Sequence, residues 1–318
     1  METATVSATT AGAPTGPTGA PAVEIRGLVK TFGQQPVLQG VDLTVRRGQI
    51  VALLGRNGAG KTTLISVLAT LLRADGGTAR VDGHDVRTDP DAVRRVIALT
   101  GQFAAVDDRL TGRENLQMIA ELVGWSRRDA RATALAALER FGLSGAAHRR
   151  AATYSGGMRR RLDLAAGLMS EPAVLMLDEP TTGLDTVSRR VVWQHVRELA
   201  AAGTTVFLTT QYLEEADQLA DRIAVLEGGR IVAEGTASQL KAQVGTDVVE
   251  LRDGDDRLVR ELASDGTAAD VRALLEAAAS DGLTDVRVSI RRPSLDDVFL
   301  RLSGQAPESR GAELPDPR

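Results

Sequence analysis

The stretch GRNGAGKT at residues 55–62 constrains this chain more than any other, because it follows directly on the apolar run Ile50, Val51, Ala52, Leu53 and Leu54. It matches the pattern G-x-x-x-x-G-K-[ST]. In that pattern glycines let backbone N–H groups close around a triphosphate, a lysine adds a compact charge and a hydroxyl reaches Mg²⁺. Here Gly55, Arg56, Asn57, Gly58, Ala59 and Gly60 form the loop, Lys61 is the charge, and Thr62 and Thr63 carry the hydroxyls. Leu64, Ile65, Val67, Leu68 and Leu71 continue as a predicted helix whose positive dipole end faces the same phosphates. Strand, glycine turn and helix in this order predict an α/β nucleoside triphosphate site. An ordinary strand-to-helix turn is the alternative, and two further elements weigh against it.

Val174, Leu175, Met176 and Leu177 form a second apolar run, ending in Asp178 and Glu179. Such a run suits a strand buried on both faces of a parallel sheet. Paired carboxylates at its end stand where open α/β sheets bind ligands, so Asp178 is expected in the Mg²⁺ shell and Glu179 beside an attacking water. The third element is Tyr154, Ser155, Gly156, Gly157 and Met158, placed before a predicted helix over 159–169 that offers free N–H groups to an anion.

Composition narrows the class. The formal net charge of −4 and a pI near 5.6 argue against a nucleic-acid binder. With no cysteine, disulfides and thiolate metal sites are excluded. Lysine occurs only as Lys30, Lys61 and Lys241 in an arginine-rich chain, so a lysine in the glycine loop stands out. A planar guanidinium replaces a compact ammonium poorly there. No apolar stretch approaches the roughly 20 residues needed to span a bilayer, so a transport path would belong to another polypeptide. Residues 1–21 are rich in Ala, Thr, Gly and Pro without a basic or apolar region, and read as a disordered leader; 304–318 read as a disordered tail.

Residues 23–29 and 41–45 read as strands of a small β subdomain, and 113–150 turns helical, with Leu116, Ile119, Ala120 and Val123 followed by Ala134, Leu135, Leu138 and Phe141. A helix at 187–201 leads to a buried strand at 204–210 that ends at Gln211. Residues 246–303 form an appendage. In it, 247–251 and 286–290 read as strands, 269–279 as a helix, and 294–302 as a serine-capped helix with Asp296 and Asp297 in its first turn.

Glycine loop, Gln102, SGGM, LMLDEP and Gly183-Leu184-Asp185, in that order, resemble the nucleotide-binding domain of ABC transporters over residues 22–240. The resemblance implies an ABC-type P-loop NTPase domain at 22–245, with an amino-terminal β subdomain and a helical subdomain near 103–155, and a small α+β accessory domain at 246–303. It implies ATP and Mg²⁺ as cofactors, with Gln102 reaching the metal and the water. Phe32 would stack on adenine, the alternative being a core aromatic of the small sheet. Two subunits would associate head to tail as a homodimer, so that Ser155, Gly156 and Gly157 of one clasp the ATP held by the other, with Asp185 and Gln211 lining the interface.

One position departs from the common pattern: Gln211 stands where most of the family has histidine. An amide still donates a hydrogen bond to a γ-phosphate oxygen but cannot become cationic. His84, His148 and His195 lie in other segments. GQFAAVDDRLTGRENL, YSGGMRRRLDLA and LTTQYLEEADQLADRI resemble the ATP-binding subunits of actinobacterial daunorubicin/doxorubicin-type drug-resistance exporters, which pair with a separate ABC-2-type permease. In that group Gln211 and Met158 are usual. The expectation is an ATPase motor at the cytoplasmic face of the membrane, held there by its permease, which alone contacts the exported molecule. The alternative is a nucleotide-gated regulatory protein with little turnover. A soluble ABC protein of translation or DNA repair fits less well, since there is one set of motifs and no long insertion.

Overall fold

The computed structural model describes residues 19–101, 106–245 and 247–302. Its centre is a six-stranded sheet ordered β10-β9-β3-β8-β7-β6, built from β3 (Ile50–Leu54), β6 (Ile97–Thr100), β7 (Val174–Asp178), β8 (Thr205–Thr210), β9 (Arg222–Glu227) and β10 (Arg230–Gly235). All neighbours pair in parallel except β9 and β10. β3, β7 and β8 are buried along their whole length, as strands covered on both faces must be. Their side chains alternate between two cores. Ile50, Ala52 and Leu54 face the cluster that contains the helical segments, while Val51 and Leu53 face the cluster beneath the second sheet. Each fully buried Leu, Ile or Val contributes about 1.5–3 kcal/mol, so the sheet is fixed from both sides.

The second sheet, β2-β1-β4-β5, joins β1 (Val23–Phe32), β2 (Gln35–Val45), β4 (Gly76–Val81) and β5 (His84–Asp85). Val23 and Ile25 point inward. A register shift before Leu28, at Gly27 with φ of 56°, turns Leu28 inward as well. Such a bulge re-aims one side chain without ending the strand. α1 (Lys61–Leu68) lies between this sheet and the central one, its Leu64, Ile65, Val67 and Leu68 buried in the shared core.

The helical region contains α3 (Gly112–Leu122), α4 (Arg127–Arg140) and α5 (Gly156–Gly167), following the short α2 (Pro90–Val96). α3 begins with a capping box of Thr111 and Glu114. Tyr154 Oη donates to the Ala146 carbonyl at 2.7 Å and occupies the space where a Cβ on Gly112 would lie, only 2.2 Å away. The SGGM segment is thereby pinned to the helical region. α6 (Thr186–Ala201), α7 (Leu213–Leu219) and α8 (Ala237–Ala242) complete the larger core. Lys241 on α8 donates to both carboxylate oxygens of Asp217 on α7 at 2.7 and 2.8 Å.

The carboxyl-terminal segment forms a three-stranded antiparallel sheet, β12-β11-β13, from β11 (Asp247–Arg252), β12 (Leu258–Ser264) and β13 (Arg287–Arg291), with α9 (Ala268–Ser280) on one face. Its own core is small, centred on Val249, Leu251 and Ala278. The last described helix, α10 (Leu295–Leu302), belongs elsewhere: Leu295 and Val298 are buried in the large cluster together with Leu219 and Leu240. Among the described residues no helix is long and apolar enough to cross a membrane.

Candidate nucleotide site

β3, β7 and β8 end side by side, and their carboxyl ends carry the candidate residues. Gly55 N–H donates to the Thr210 carbonyl at 3.2 Å, which ties the start of the glycine loop to the end of β8. Gly55 also packs too closely for any side chain, since a Cβ would lie 2.5 Å from the Leu226 carbonyl oxygen. At the other end of the loop Gly60 has a φ of 105° and caps α1 in the left-handed region, with no side-chain cap and no acidic residue in the first turn. The first N–H groups of α1 are thus left to the cleft, where the helix dipole favours an anion.

That cleft has a volume of about 360 to 390 Å³ on either side of the loop. The phosphate-facing part is lined by Asn57, Gly58, Gly60, Lys61, Thr62, Thr63 and, opposite them, Glu179. Lys61 is buried. Its Nζ donates to the carbonyls of Gly55 at 2.8 Å and Arg56 at 3.1 Å, and lies 3.2 Å from Glu179 Oε1. Glu179 is held in turn: its other carboxylate oxygen accepts from Thr182 Oγ1 at 3.2 Å, and its N–H donates to Thr209. With φ of 49°, Glu179 occupies the left-handed region, a conformation that costs a non-glycine residue about 1–3 kcal/mol and is found at functional sites. Asp178 is buried and accepts from Thr209 Oγ1 at 2.6 Å.

The donor set suits a magnesium–triphosphate complex: backbone N–H groups and an ammonium for the phosphates, and one hydroxyl and one carboxylate, Thr62 and Asp178, for the metal. Mg²⁺ is ordinarily held by one or two protein carboxylates with the remaining positions supplied by phosphate and water. Gln102 lies outside the described residues.

Ser155 and its glycines line a different face. Ser155 caps α5, accepting from Met158 N–H at 3.3 Å. Gly156 shares a cavity with Arg159, Arg160, Pro180, Gly183, Leu184 and Glu179, not with the phosphate-facing part of the loop. Gly157 packs against α6 so tightly that a Cβ would lie 2.5 Å from Ser188 Oγ. Ser188 is itself fixed by Asp185, which caps α6 and accepts from the Ser188 N–H and hydroxyl at 2.9 and 2.7 Å. These two bonds hold the Asp185 carboxyl below its ordinary pKa. Phe32 is 48 % exposed, which rules out the core-aromatic alternative. It ends β1 opposite Gln35, a residue that lines the cavity behind the loop with Arg56, Asn57 and Ala59. Lys30 stands over its ring at 5.4 Å while donating to Asp75 at 2.8 Å.

Glu215 on α7 was not singled out by sequence reasoning. It is fully buried, accepts from Thr181 Oγ1 at 2.8 Å and Trp193 Nε1 at 2.9 Å, and lies within reach of Thr210 and Arg160. Burial raises its pKa against the opposing effect of those hydrogen bonds. It joins the segment after Glu179, the helix after Asp185 and the end of β8. Its signal is helical spacing: Glu215 shares a buried face with Ala216 and Leu219, whereas Glu214 is exposed.

A glycine loop between a buried strand and an uncapped helix, facing two carboxylates on the next strand but one, defines a P-loop nucleoside triphosphatase. The ABC transporter family model matches residues 38–182. The chain is 50 % identical to the daunorubicin/doxorubicin resistance ATP-binding protein DrrA of Streptomyces peucetius, over 92 % of this chain and 95 % of that one. It is 44 % identical to the doxorubicin resistance ATP-binding protein DrrA of Mycobacterium tuberculosis, over 91 % and 95 %. Among solved structures, an ATP-binding subunit of an ABC transporter superposes with a TM-score of 0.66 at 25 % identity, covering 89 % of this chain and 99 % of that one. The chain belongs to the ABC transporter family. It is an ATP-binding subunit whose activity is ATP hydrolysis.

Proposed function

We propose that this chain powers efflux of a drug or natural product through a separate ABC-2-type permease, from the cytoplasmic face of the membrane. The observation that carries the catalytic part is the cleft in which the uncapped end of α1 and Lys61 face Glu179. The relatives named for drug resistance support the export part, and exposed Met118, Leu122 and Val123 on the helical region offer an apolar face for the permease.

In this reading the loop N–H groups and Lys61 hold the phosphates, and the triphosphate competes with Glu179 for the Lys61 ammonium. Glu179 is then free to orient the attacking water and take its proton. Thr62, Asp178 and Gln102 hold Mg²⁺, which neutralises phosphate charge when bound. Gln211 donates its amide to the γ-phosphate without titrating near neutral pH. Phe32 stacks on adenine, and Ser155 with Gly157 completes the site of a second copy, whose closure Asp185 and Gln211 line. Residues 22–245 act as the motor domain and 246–303 as its accessory domain.

The test is reconstitution with its ABC-2-type permease in vesicles. Substrate-stimulated ATPase that disappears in Lys61→Ala supports an exporter motor, whereas negligible turnover with tight ATP binding, with or without permease, supports the regulatory alternative. Mixing inactive Lys61→Ala and Ser155→Arg subunits separates the dimer question, because a heterodimer that carries both lesions in one site keeps the other intact. Regained ATPase activity is the expected result, and its absence in demonstrated heterodimers counts against completion in trans.

A further inference from the structure

The last described helix, α10, reaches the cleft lined by Gln211. α10 follows the accessory sheet in sequence, yet it leaves that sheet's small core and buries Leu295 and Val298 in the motor domain. Arg301 donates to the carbonyls of Gln243 and Val244 at 2.6 and 3.2 Å, which fastens α10 to the end of α8. Phe299 then lines a cleft of about 360 Å³ together with Gly55, Arg56, Asn57, Gln211 and Leu213. One ring from the carboxyl-terminal segment therefore lines the same cleft as Gln211 and the start of the glycine loop.

The other end of α10 is tied to the accessory sheet by charge. Asp297 accepts from Ser294 and pairs with Arg291 at 3.2 Å, and Arg291 pairs with the nearly buried Glu250 of β11 at 3.1 Å, which also holds Arg252. Burial and these partners act on Asp297 in opposite senses, and its pKa is lowered on balance. A continuous run of ion pairs and packed side chains thus joins the accessory sheet to the cleft at Gln211. A flexible primary amide beside an open cleft has several rotamers. A bulky ring on one side of that cleft removes some of them at no hydrogen-bonding expense.

We infer that Phe299 is a positioning residue for Gln211: it restricts the amide to orientations that reach the γ-phosphate, and so makes ATP turnover depend on how the accessory domain is seated. This rests on the reading of Gln211 as the γ-phosphate contact. The residue does not touch substrate and acts only through the glutamine.

The experiment is a double-mutant cycle on the purified full-length chain, with steady-state ATPase, KM for ATP and thermal melting recorded for the parent, Phe299→Ala, Gln211→Ala and the double variant. Expected is a fall in kcat of about three- to tenfold for Phe299→Ala with KM little changed, and no further fall when it is added to Gln211→Ala, as for neighbours acting as one unit. Phe299→Leu, which keeps an apolar body in the cleft, should recover most of the loss and covers the case in which the alanine variant fails to fold. Multiplicative losses, or a Phe299→Ala chain with parental kcat, would overturn the inference while leaving Gln211 in its role. A silent Gln211→Ala with a slow Phe299→Ala would overturn both readings.

Discussion

Two helix ends face the chemistry, and they are finished in opposite ways. α5 closes on itself: Ser155 caps it, and Gly157 is spent on packing against Ser188. α1 is left open, started by a left-handed glycine with no side chain to satisfy its first N–H groups. Of the described helices, α3, α4, α5, α6, α8 and α9 have side-chain caps; α2 and α7 lack one too, but α2 has Asp91 and α7 has Glu214 and Glu215 in the first turn, whereas α1 has no acidic residue there. The difference separates binding from presentation. α1 leaves its first N–H groups open beside Lys61 for an anion, whereas α5 ends in a capped, packed surface.

The largest effect should come from the carboxylate facing the open end. Glu179→Gln keeps shape and removes the base, so turnover should fall about 10²–10⁴-fold with ATP binding intact; parallel ATPase and nucleotide-binding assays would show it. Gly60→Ala should instead strike binding, since φ is 105° and the new Cβ would sit 3.0 Å from the Val37 carbonyl oxygen. A loss of ATP affinity of about 5- to 30-fold is expected, which is what roughly 1–2 kcal/mol of left-handed strain implies. Unchanged affinity would mean that the open end of α1 does not hold the phosphates.

Gln211→Ala should lower turnover about tenfold, because a donor is lost from a desolvated site at a cost of roughly 1–3 kcal/mol. Gln211→His should keep activity and acquire a titration between about pH 5 and 8 in its pH–rate profile, which neither the parent nor the alanine variant shows. At α5 the expected damage is to stability: Gly157→Ala should cost about 1–3 kcal/mol by overpacking, and Ser188→Ala should return part of it in denaturant melts. The isolated subunit's ATP affinity should stay the same. If it drops with Gly157→Ala, the two ends are less separate than their caps suggest.

The smallest effect is a pH dependence at Glu215, which joins Thr181 and α6 to the end of β8. Burial raises the Glu215 pKa above its ordinary 4.5. The unfolded chain ionises this group first as pH rises, so its contribution to stability is complete below about 4.5 and is lost as pH climbs toward the folded value. Thermal melts should therefore show Glu215→Gln gaining on the parent as pH rises from 4 toward neutrality, and a constant gap would assign the residue an ionised folded state.

Much of this site was legible because its chemistry is local in sequence. Residues 50–62 and 174–179 each combine an apolar strand with the candidate groups at its end, and both form the strand ends that their patterns predict. What stayed hidden depends on contacts between distant segments. Gly157 reads as a ligand contact in sequence, and only the neighbouring helix reveals that Ser188 also demands it. Phe32 sits at the end of a ten-residue strand, longer than its apolar pattern suggested because Gly27 allows a bulge. β12 carries Arg260 and Glu261 with little apolar alternation, and went unread. The five apolar residues of 295–302 announce an amphipathic helix, but not which of two cores receives it.

The three lysines give the molecule an unplanned reporter. Each ammonium is engaged: Lys30 by Asp75 and the Phe32 ring, Lys241 by Asp217, and Lys61 by two carbonyls and Glu179. Their side chains are 13 %, 28 % and 4 % exposed. Amine-directed reagents, which modify most proteins at many places, meet very few lysines here, and two of those stand at the residues proposed to hold the adenine and the phosphates. Covalent labelling read peptide by peptide would accordingly report occupancy of the adenine and phosphate ends separately, in the unmodified protein and without an engineered probe.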